Sequence, residues 1–330
     1  MSPKITIMDV ASAAGVSRGA VTRALNDKAD INPETKKRVL EVAAQLGYRP
    51  SRFARNFAAR TKSRAIGYVV TSFRNPYFTD LAADMLMQAK ARNWQVAFDA
   101  MEGSSEREAL ERLSEHVDVV VGHFDLPSSE LKQASGGVPV IRIEGTSNLP
   151  GVHAIDIDLR GGLHDAITAL IAKGVTHFGM IDATNRGADH VMDRSPRCGY
   201  FSEFVPEHSR NVVVADEESL AGGERAIARL LQAHPDVGAV FAFNDIMAIG
   251  AMHGARVAGF DVPRQLRVMG IDGLTLGEAT APSLSSISID RETLVSEIFA
   301  ISEQIAEAGF RDIESINRQI LPRPLWRESA

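Results

Sequence analysis

Cysteine is almost absent from this sequence: Cys198 is the one thiol in 330 residues. That excludes an internal disulfide framework and fits a reducing compartment. Long apolar runs are missing as well. No stretch approaches the roughly 18 apolar residues of a membrane helix, and the N-terminal MSPKITIMDVASAAG has no apolar core of a signal peptide. The expectation is a protein of the cytoplasm without membrane contact. Enzyme signatures are missing too. There is no GxxxxGK[ST] loop, no GxGxxG after the first strand, no HExxH, no CxxC and no GxSxG on the strand-to-helix turn of a nucleophile elbow. The nine histidines are scattered, none is paired at metal-ligand spacing, and each reads as a surface or satisfied core residue. Cys198 beside Arg197 has no recognisable base and reads as inert. No catalytic residue, metal ligand or cofactor is therefore expected.

What is present is an ordinary globular composition, 45% hydrophobic and 24% charged, long enough for two or three domains. The formal net charge of −6 is unevenly spread. Residues 1–60 hold 11 Lys+Arg against 5 Asp+Glu, and residues 61–330 hold 25 against 37. A basic head on an acidic body suggests that one end meets a polyanion.

The head reads as three helices. Thr6 and Asp9 make a capping-box-like start for a helix to about Ala14. Gly15 stops it, and Ser17 offers an N-cap for a second helix over about Arg18 to Asn26. A three-residue turn containing glycine is the connection of a helix-turn-helix unit. Val10, Ala11, Ala14, Val16, Val21 and Leu25 are its candidate core. A third helix starts at Asn32 and Pro33 and carries Val39, Leu40, Val42, Ala43 and Leu46 in an i, i+3, i+4, i+7 stripe as far as Gly47. In a major groove the N-terminal side chains of the second helix face base edges. Arg18 and Arg23 suit this position, because arginine pairs bidentately with guanine. Gly19 reads nothing directly, while Thr22 and backbone amides suit phosphates.

TIMDVASAAGVSRGAVTRALND, followed by INPETKKRVLEVAAQLGYRPSRFAR, closely resembles the DNA-binding head of the LacI/GalR family of bacterial transcriptional regulators. The match is long and ungapped. It implies contacts to DNA from Thr6, Ser17, Arg18, Gly19, Thr22 and Arg23. In that family the next segment, here SRFARNFAARTKSRA, folds only on specific DNA. Two copies then lie in the minor groove and lever a base step open. The family's wedge is commonly a leucine; Phe57 stands in its place here. Apolar wedges do enter minor grooves and kink DNA. Arg52 and the small Ala54 complete the expected hinge contacts, although Phe53 and Phe57 at i, i+4 also fit packing against the body.

From Ala65 onward, strand-like runs alternate with helix-like segments. The runs are 65–70, 95–99, 118–122 and 138–143, then a second series at 154–157, 177–181, 212–215, 239–243 and 267–271. Helix candidates are Thr79–Arg92, Glu106–Glu115, Gly161–Lys173, Gly222–His234 and Ile246–Gly259. Such alternation implies parallel sheets covered by helices. There are too many strands for one small sheet, and a break is expected near 144–153. The fold class expected is α/β: two doubly wound parallel-sheet lobes preceded by a small all-α helix-turn-helix DNA-binding domain. Ligands bind at the C-terminal ends of such strands, here between the lobes.

The body resembles the core shared by LacI/GalR repressors and periplasmic sugar-binding proteins. FRNPYF (73–78), DLRGG (158–162), FAFNDIMAIGAM (241–252) and VMGIDG (268–273) carry the likeness, with Leu159 and Gly273 departing from the family pattern. It implies effector contacts from Asn75, Tyr77, Phe78, Glu144, Asn244 and Asp272. Asp245 reads as the cap of the helix at 246. The family's effector-gripping arginine is replaced by Pro196, and either Arg194 or Arg197 flanks the place to substitute. The expected division is 1–49 for the head, 50–63 for the hinge and 64–330 for the core. The first lobe takes about 64–160 plus 291–320, the second about 161–290 plus 321–330. The expected function is a homodimeric regulator, a repressor, binding a palindromic double-stranded DNA operator under control of a small-molecule effector, a sugar or sugar derivative. Whether the effector induces or corepresses stays open. With no heptad tail after LPRPLWRESA, a dimer is expected. A solute-binding protein without a DNA role is the alternative.

Overall fold

In the computed structural model, which describes residues 7–25, 31–46, 64–183, 185–186, 191–192 and 194–330, the first of two units spans Met1–Ala65 and the second Ile66–Ala330. The first unit holds α1 (Ile7–Ala14), α2 (Arg18–Leu25) and α3 (Pro33–Gln45). Gly15 adopts φ +65°, the left-handed geometry that ends a helix and suits a residue without Cβ. Val16 then donates back to the Ala11 carbonyl at 3.0 Å, which tightens the turn. Ser17 caps α2 by accepting from the Ala20 amide at 3.2 Å. Asn32 caps α3 by accepting from Glu34 at 2.9 Å. Val10, Val21 and Val39 are fully buried among Ala11, Ala14, Ala24 and Ala43, with Val16, Ile31 and Leu46 packed against them. Thr6 lies outside the described residues, as do the side chains of Thr22 and Leu25.

The second unit contains two six-stranded sheets. The first has the order β13-β5-β4-β3-β1-β2. Its strands are β1 (Ala65–Val70), β2 (Gln95–Ala100), β3 (Val119–His123), β4 (Val140–Ile143), β5 (Val152–Ile157) and β13 (Asn317–Ile320). The second has the order β14-β12-β11-β10-β6-β9. Its strands are β6 (Phe178–Ala183), β9 (Arg210–Ala215), β10 (Ala239–Ala242), β11 (Arg267–Asp272), β12 (Ser285–Ser288) and β14 (Arg323–Leu325). In the first sheet β1 pairs with β3, β3 with β4, β4 with β5 and β5 with β13, all parallel. In the second the one antiparallel pairing is β12 with β14. A short ribbon, β7 (Asn185–Arg186) with β8 (Val191–Met192), follows β6.

Helices cover both sheets: α4 (Pro76–Ala91), α5 (Glu106–Ser114), α6 (Ser128–Ala134), α7 (Leu159–Ala172), α8 (Pro196–Phe204), α9 (Leu220–Ala233), α10 (Asp245–Val257) and α11 (Arg291–Glu307). Three features differ from the sequence reading. The run at 154–157, read as opening a second series, belongs to the first sheet, so the chain crosses between sheets after β5 and not at 144–153. Residues 144–151 are the loop joining two neighbours, β4 and β5, and 152–153 already belong to β5. Helix α4 begins at Pro76, three residues before Thr79, because Asn75 caps it and Pro76 is pre-set for a first turn. Strand β12, SSIS, carries no apolar run to betray it, yet Ser285 and Ser286 are fully buried.

Both sheets have a topological switch point, between β1 and β3 in the first and between β6 and β10 in the second. At such a point the connections leave toward opposite faces and open a crevice outside the strand ends. The chain passes between the sheets after β5, after β12 and after β13. Sequence-distant strand ends are thereby gathered around one cleft.

Candidate functional site

The head presents a polar face on α2. Ser17, Arg18, Gly19 and Arg23 are all exposed on its first two turns. A Cβ at Gly19 would stand 3.8 Å from Ser17 Oγ and 4.0 Å from Arg23 Nη1, so the Arg23 guanidinium lies over the bare position. Ser17, Gly19 and Arg23 thus share one patch of α2. Arg52, Ala54 and Phe57 lie outside the described residues.

The cleft is built from loops that follow β1, β4, β6, β10 and β11, together with the end of β3. After β1, Asn75 Oδ1 accepts from the Tyr77 amide at 3.0 Å, and this cap fixes the first turn of α4. Tyr77 is buried against Phe78, the rings meeting edge to face at 5.3 Å. His123, the last residue of β3, stacks edge-on against both, at 5.8 Å from Tyr77 and 5.3 Å from Phe78. The Tyr77 hydroxyl and both His123 ring nitrogens are sealed from solvent and find no hydrogen-bond partner among the described residues. Burial lowers the His123 pKa to about 4, so its imidazole is neutral.

From the second lobe, Asp182 at the end of β6 accepts from both the Ser195 amide (2.9 Å) and the Ser195 hydroxyl. Ser195 in turn caps α8 with Pro196 in its first turn. That anchoring brings Arg197 into the cleft. Its Nη1 donates to the Phe243 carbonyl at 2.5 Å, and its guanidinium lies 4.4 Å from the Phe243 ring centroid. Nη2 donates across the cleft to Glu144 Oε1 at 3.3 Å, and Nη1 stands 3.9 Å from Asp272 Oδ1. Glu144 follows β4 with φ +69°. Burial alone would lower the Arg197 pKa, but Glu144 and Asp272 outweigh it and hold the guanidinium charged. Asp272 ends β11, almost fully buried, and its Oδ2 has no partner among the described residues. Desolvation pushes its carboxyl well above the usual range despite Arg197.

The candidates therefore separate. Tyr77, Phe78, Glu144, Arg197 and Asp272 come together with His123. Asn75 and Asn244 serve as helix caps, Asn244 Oδ1 accepting from Met247 at 2.9 Å. Asn244, not Asp245, caps α10, because its extended backbone places the side chain over the free amides. Asp245 instead reaches across to β11 and β12, accepting from the Leu274 amide at 2.7 Å and the Ser286 hydroxyl at 2.6 Å. Gly270 makes this possible, since a Cβ there would collide with the Asp245 carboxylate. Arg194 is exposed and points to Cys198 Sγ at 4.0 Å, away from the residues around Arg197. His123, read from sequence as a surface or satisfied core residue, is neither. Its place as the last residue of the strand beside the switch point was the available signal.

A group of three His, Cys, Asp or Glu fit to hold a metal is absent among the described residues. Nor is any described helix long and apolar enough to cross a membrane. Residues 6–51 match the model of the lacI family of bacterial regulatory proteins, and residues 167–329 match a periplasmic binding protein-like domain. The ribose operon repressor of Halalkalibacterium halodurans is 30% identical over 307 residues, spanning 91% of this chain and 88% of its own. The HTH-type transcriptional regulator GalS of Salmonella typhimurium is 30% identical over 86% of this chain and 84% of its own. A solved LacI family transcriptional regulator from Arthrobacter sp. FB24 is 25% identical and superposes with a TM-score of 0.72, covering 81% of this chain and 98% of its own. With two parallel-sheet lobes behind a helix-turn-helix head and relatives matched nearly end to end, the chain belongs to the lacI family of bacterial regulatory proteins, the DNA-binding transcriptional regulators.

Proposed function

We propose that this regulator is a cytoplasmic homodimer that represses transcription, does no catalysis, and answers to a small-molecule effector, a sugar or sugar derivative, held in the cleft. The observation that carries the reading is the bridge made by Arg197, which ties Glu144 of the first lobe to the Phe243 carbonyl of the second. A ligand entering there touches both lobes at once and so changes their relative orientation. On this reading Arg197 takes the role of the arginine that Pro196 displaces, with Asp272, Glu144, Tyr77 and Phe78 around the ligand. Asn75 and Asn244 act mainly as caps, although the Asn244 amide nitrogen keeps donors to offer. Arg194 is not needed.

In each head Arg18 and Arg23 read bases, while Ser17, Thr22 and the amides near Thr6 and Gly19 hold phosphates. Arg52, Ala54 and Phe57 form the minor-groove hinge. The twofold of the dimer matches a palindromic operator. Large apolar side chains left exposed on α4 (Leu86 and Met87) and α10 (Val257) support self-association. Effector binding shifts the population of lobe arrangements able to pair the hinges, which couples cleft to operator. Selection of binding sites from random duplex DNA with the full chain tests this. The expected result is a twofold-symmetric site whose affinity changes when an effector is added. Enrichment of no symmetric sequence overturns the reading.

A further inference from the structure

The start of α8 is tied down from outside the helix. In α5 the cap is local: Ser105 Oγ accepts from the Glu108 amide at 3.2 Å, and Glu108 Oε2 accepts from the Ser105 amide at 2.8 Å. Such a capping box needs only residues of one turn. Ser195 caps α8 in the same way, accepting from the Cys198 amide at 3.3 Å. The residue placed to return the bond is Cys198, whose thiol is a weak acceptor, so the box cannot close within the turn. Asp182 closes it from β6, 13 residues earlier, accepting from the Ser195 amide at 2.9 Å and from the Ser195 hydroxyl. Ser195 is buried, and Asp182 completely so.

This clamp bears on Arg197 because Arg197 is the second residue of α8. Turning an α-helix by one residue swings each side chain by about 100° and shifts it by about 1.5 Å. Helix α8 spans nine residues, and of its side chains Cys198 and Phe201 alone are buried, which is little to fix its rotation. The partners of the guanidinium lie on other elements: the Phe243 carbonyl after β10, at 2.5 Å from Nη1, and Glu144 after β4, at 3.3 Å from Nη2. A turn of the helix loses both. Nor does Glu144 hold the arginine firmly by itself, since its side chain is 46% exposed.

We propose that Asp182 is a positioning residue for Arg197. It is fully buried and out of a ligand's reach, yet by completing the cap of α8 from β6 it fixes the rotation of that helix and the place of the guanidinium in the cleft. The clamp works through its hydrogen bonds. An asparagine in place of Asp182 keeps an oxygen for the Ser195 amide and offers its own amide to the Ser195 hydroxyl oxygen. That the guanidinium meets an effector rests on the function proposed above; its positioning by Asp182 does not.

The test reads Arg197 directly, in the purified full chain without ligand. Phenylglyoxal modifies accessible guanidiniums, and peptide mass spectrometry gives the rate at each arginine. Arg291 is the internal control: its side chain is 19% exposed against 14% for Arg197, and it is held by Asp80 and Asp84 of the first lobe. Asp182→Ala should speed labelling of Arg197 at least about tenfold and leave Arg291 unchanged, while Asp182→Asn stays within about threefold of wild type. Ser195→Ala, which removes one of the two clamp bonds without touching β6, should fall in between, and it carries the same test should D182A not fold. Arg197 labelled at the wild-type rate in either alanine variant overturns the proposal. So does Arg291 accelerating in step with Arg197, the mark of a general loosening, or a D182N variant as fast as D182A. A second arm uses calorimetry with D-ribose and D-galactose as probes. A probe that binds wild type should lose at least about tenfold in D182A, with D182N close to wild type and Arg197→Ala the limit of the loss. Full affinity in D182A together with loss in R197A overturns the proposal as well. Failure of the cleft reading looks different: a probe would then bind wild type and R197A equally, and the labelling rates alone decide the positioning.

Discussion

Asp245 and Asp272 are both buried carboxylates of the second lobe, and burial raises the pKa of each. They differ in what surrounds the oxygens. Asp245 is satisfied by the Leu274 amide and the Ser286 hydroxyl, and so fastens α10 to β11 and β12. Asp272 keeps one oxygen at the cleft without a partner among the described residues. Removing the first strands the Leu274 amide and the Ser286 hydroxyl and unties α10 from β11 and β12; removing the second strands the Asp245 backbone amide but also takes away an oxygen that has no partner among the described residues. Asp245→Ala should therefore cost about 3 kcal/mol of stability in urea unfolding. Asp272→Ala should leave the fold within about 1 kcal/mol of wild type while abolishing the effector response. Equal losses from both would put Asp272 in a structural role. His123 gives a pH signature. Its folded pKa is depressed to about 4 from 6.5, so the unfolded chain binds the extra proton. The stability it allows is complete above pH 6.5 and is lost as pH falls toward 4, by about 3 kcal/mol. The raised carboxyl of Asp272 works with the opposite sign, so the wild-type curve mixes both. The difference between wild type and H123F in urea unfolding from pH 7 to pH 4 isolates the histidine, and it should widen in favour of H123F as pH falls.

At the scale of one element, α2 is a short helix of eight residues that would be marginal alone. It is held by the Gly15 turn, the Ser17 cap and burial of Val21 and Ala24, while Arg18 and Arg23 are exposed. Substitutions of exposed side chains of this kind usually change stability by about 0.5 kcal/mol or less. Arg18→Ala should leave the melting temperature almost unchanged and cost about 1–3 kcal/mol of DNA affinity at one base position. Anisotropy titration against a set of single-base operator variants would show it. A uniform loss across all variants would assign Arg18 to phosphate instead.

For the molecule as a whole, the uneven charge sets the salt response. The head carries 11 Lys+Arg against 5 Asp+Glu on an otherwise acidic chain. Operator affinity should fall by about 10³-fold or more between 50 and 200 mM salt, as counterions released from several phosphates are replaced. A shallow dependence in anisotropy titrations would argue against phosphate contacts by the head. The sequence made much of this legible. The helix-turn-helix was written in local signals, Gly15, Ser17, Asn32 and Pro33, which act on adjacent backbone and need no distant partner. The buried strands β1, β3, β10 and β11 were legible because parallel strands covered on both faces are continuously apolar. Strand β12 was not, since its buried serine hydroxyls are tolerated through partners 41 and 42 residues away, Asp245 and the Arg327 amide. The choice between Arg194 and Arg197 could not be read either, for both flank Pro196 closely in sequence. Only the anchoring of Ser195 by Asp182, which sets the start of α8, turns Arg197 into the cleft and leaves Arg194 outside it. The sequence by itself determined the basic head, its turn and caps, and the alternation of strands and helices, because those depend on neighbours in the chain. The tertiary structure alone decided which polar groups share the cleft and which stay unpaired there, because that depends on strand ends more than a hundred residues apart meeting at two switch points.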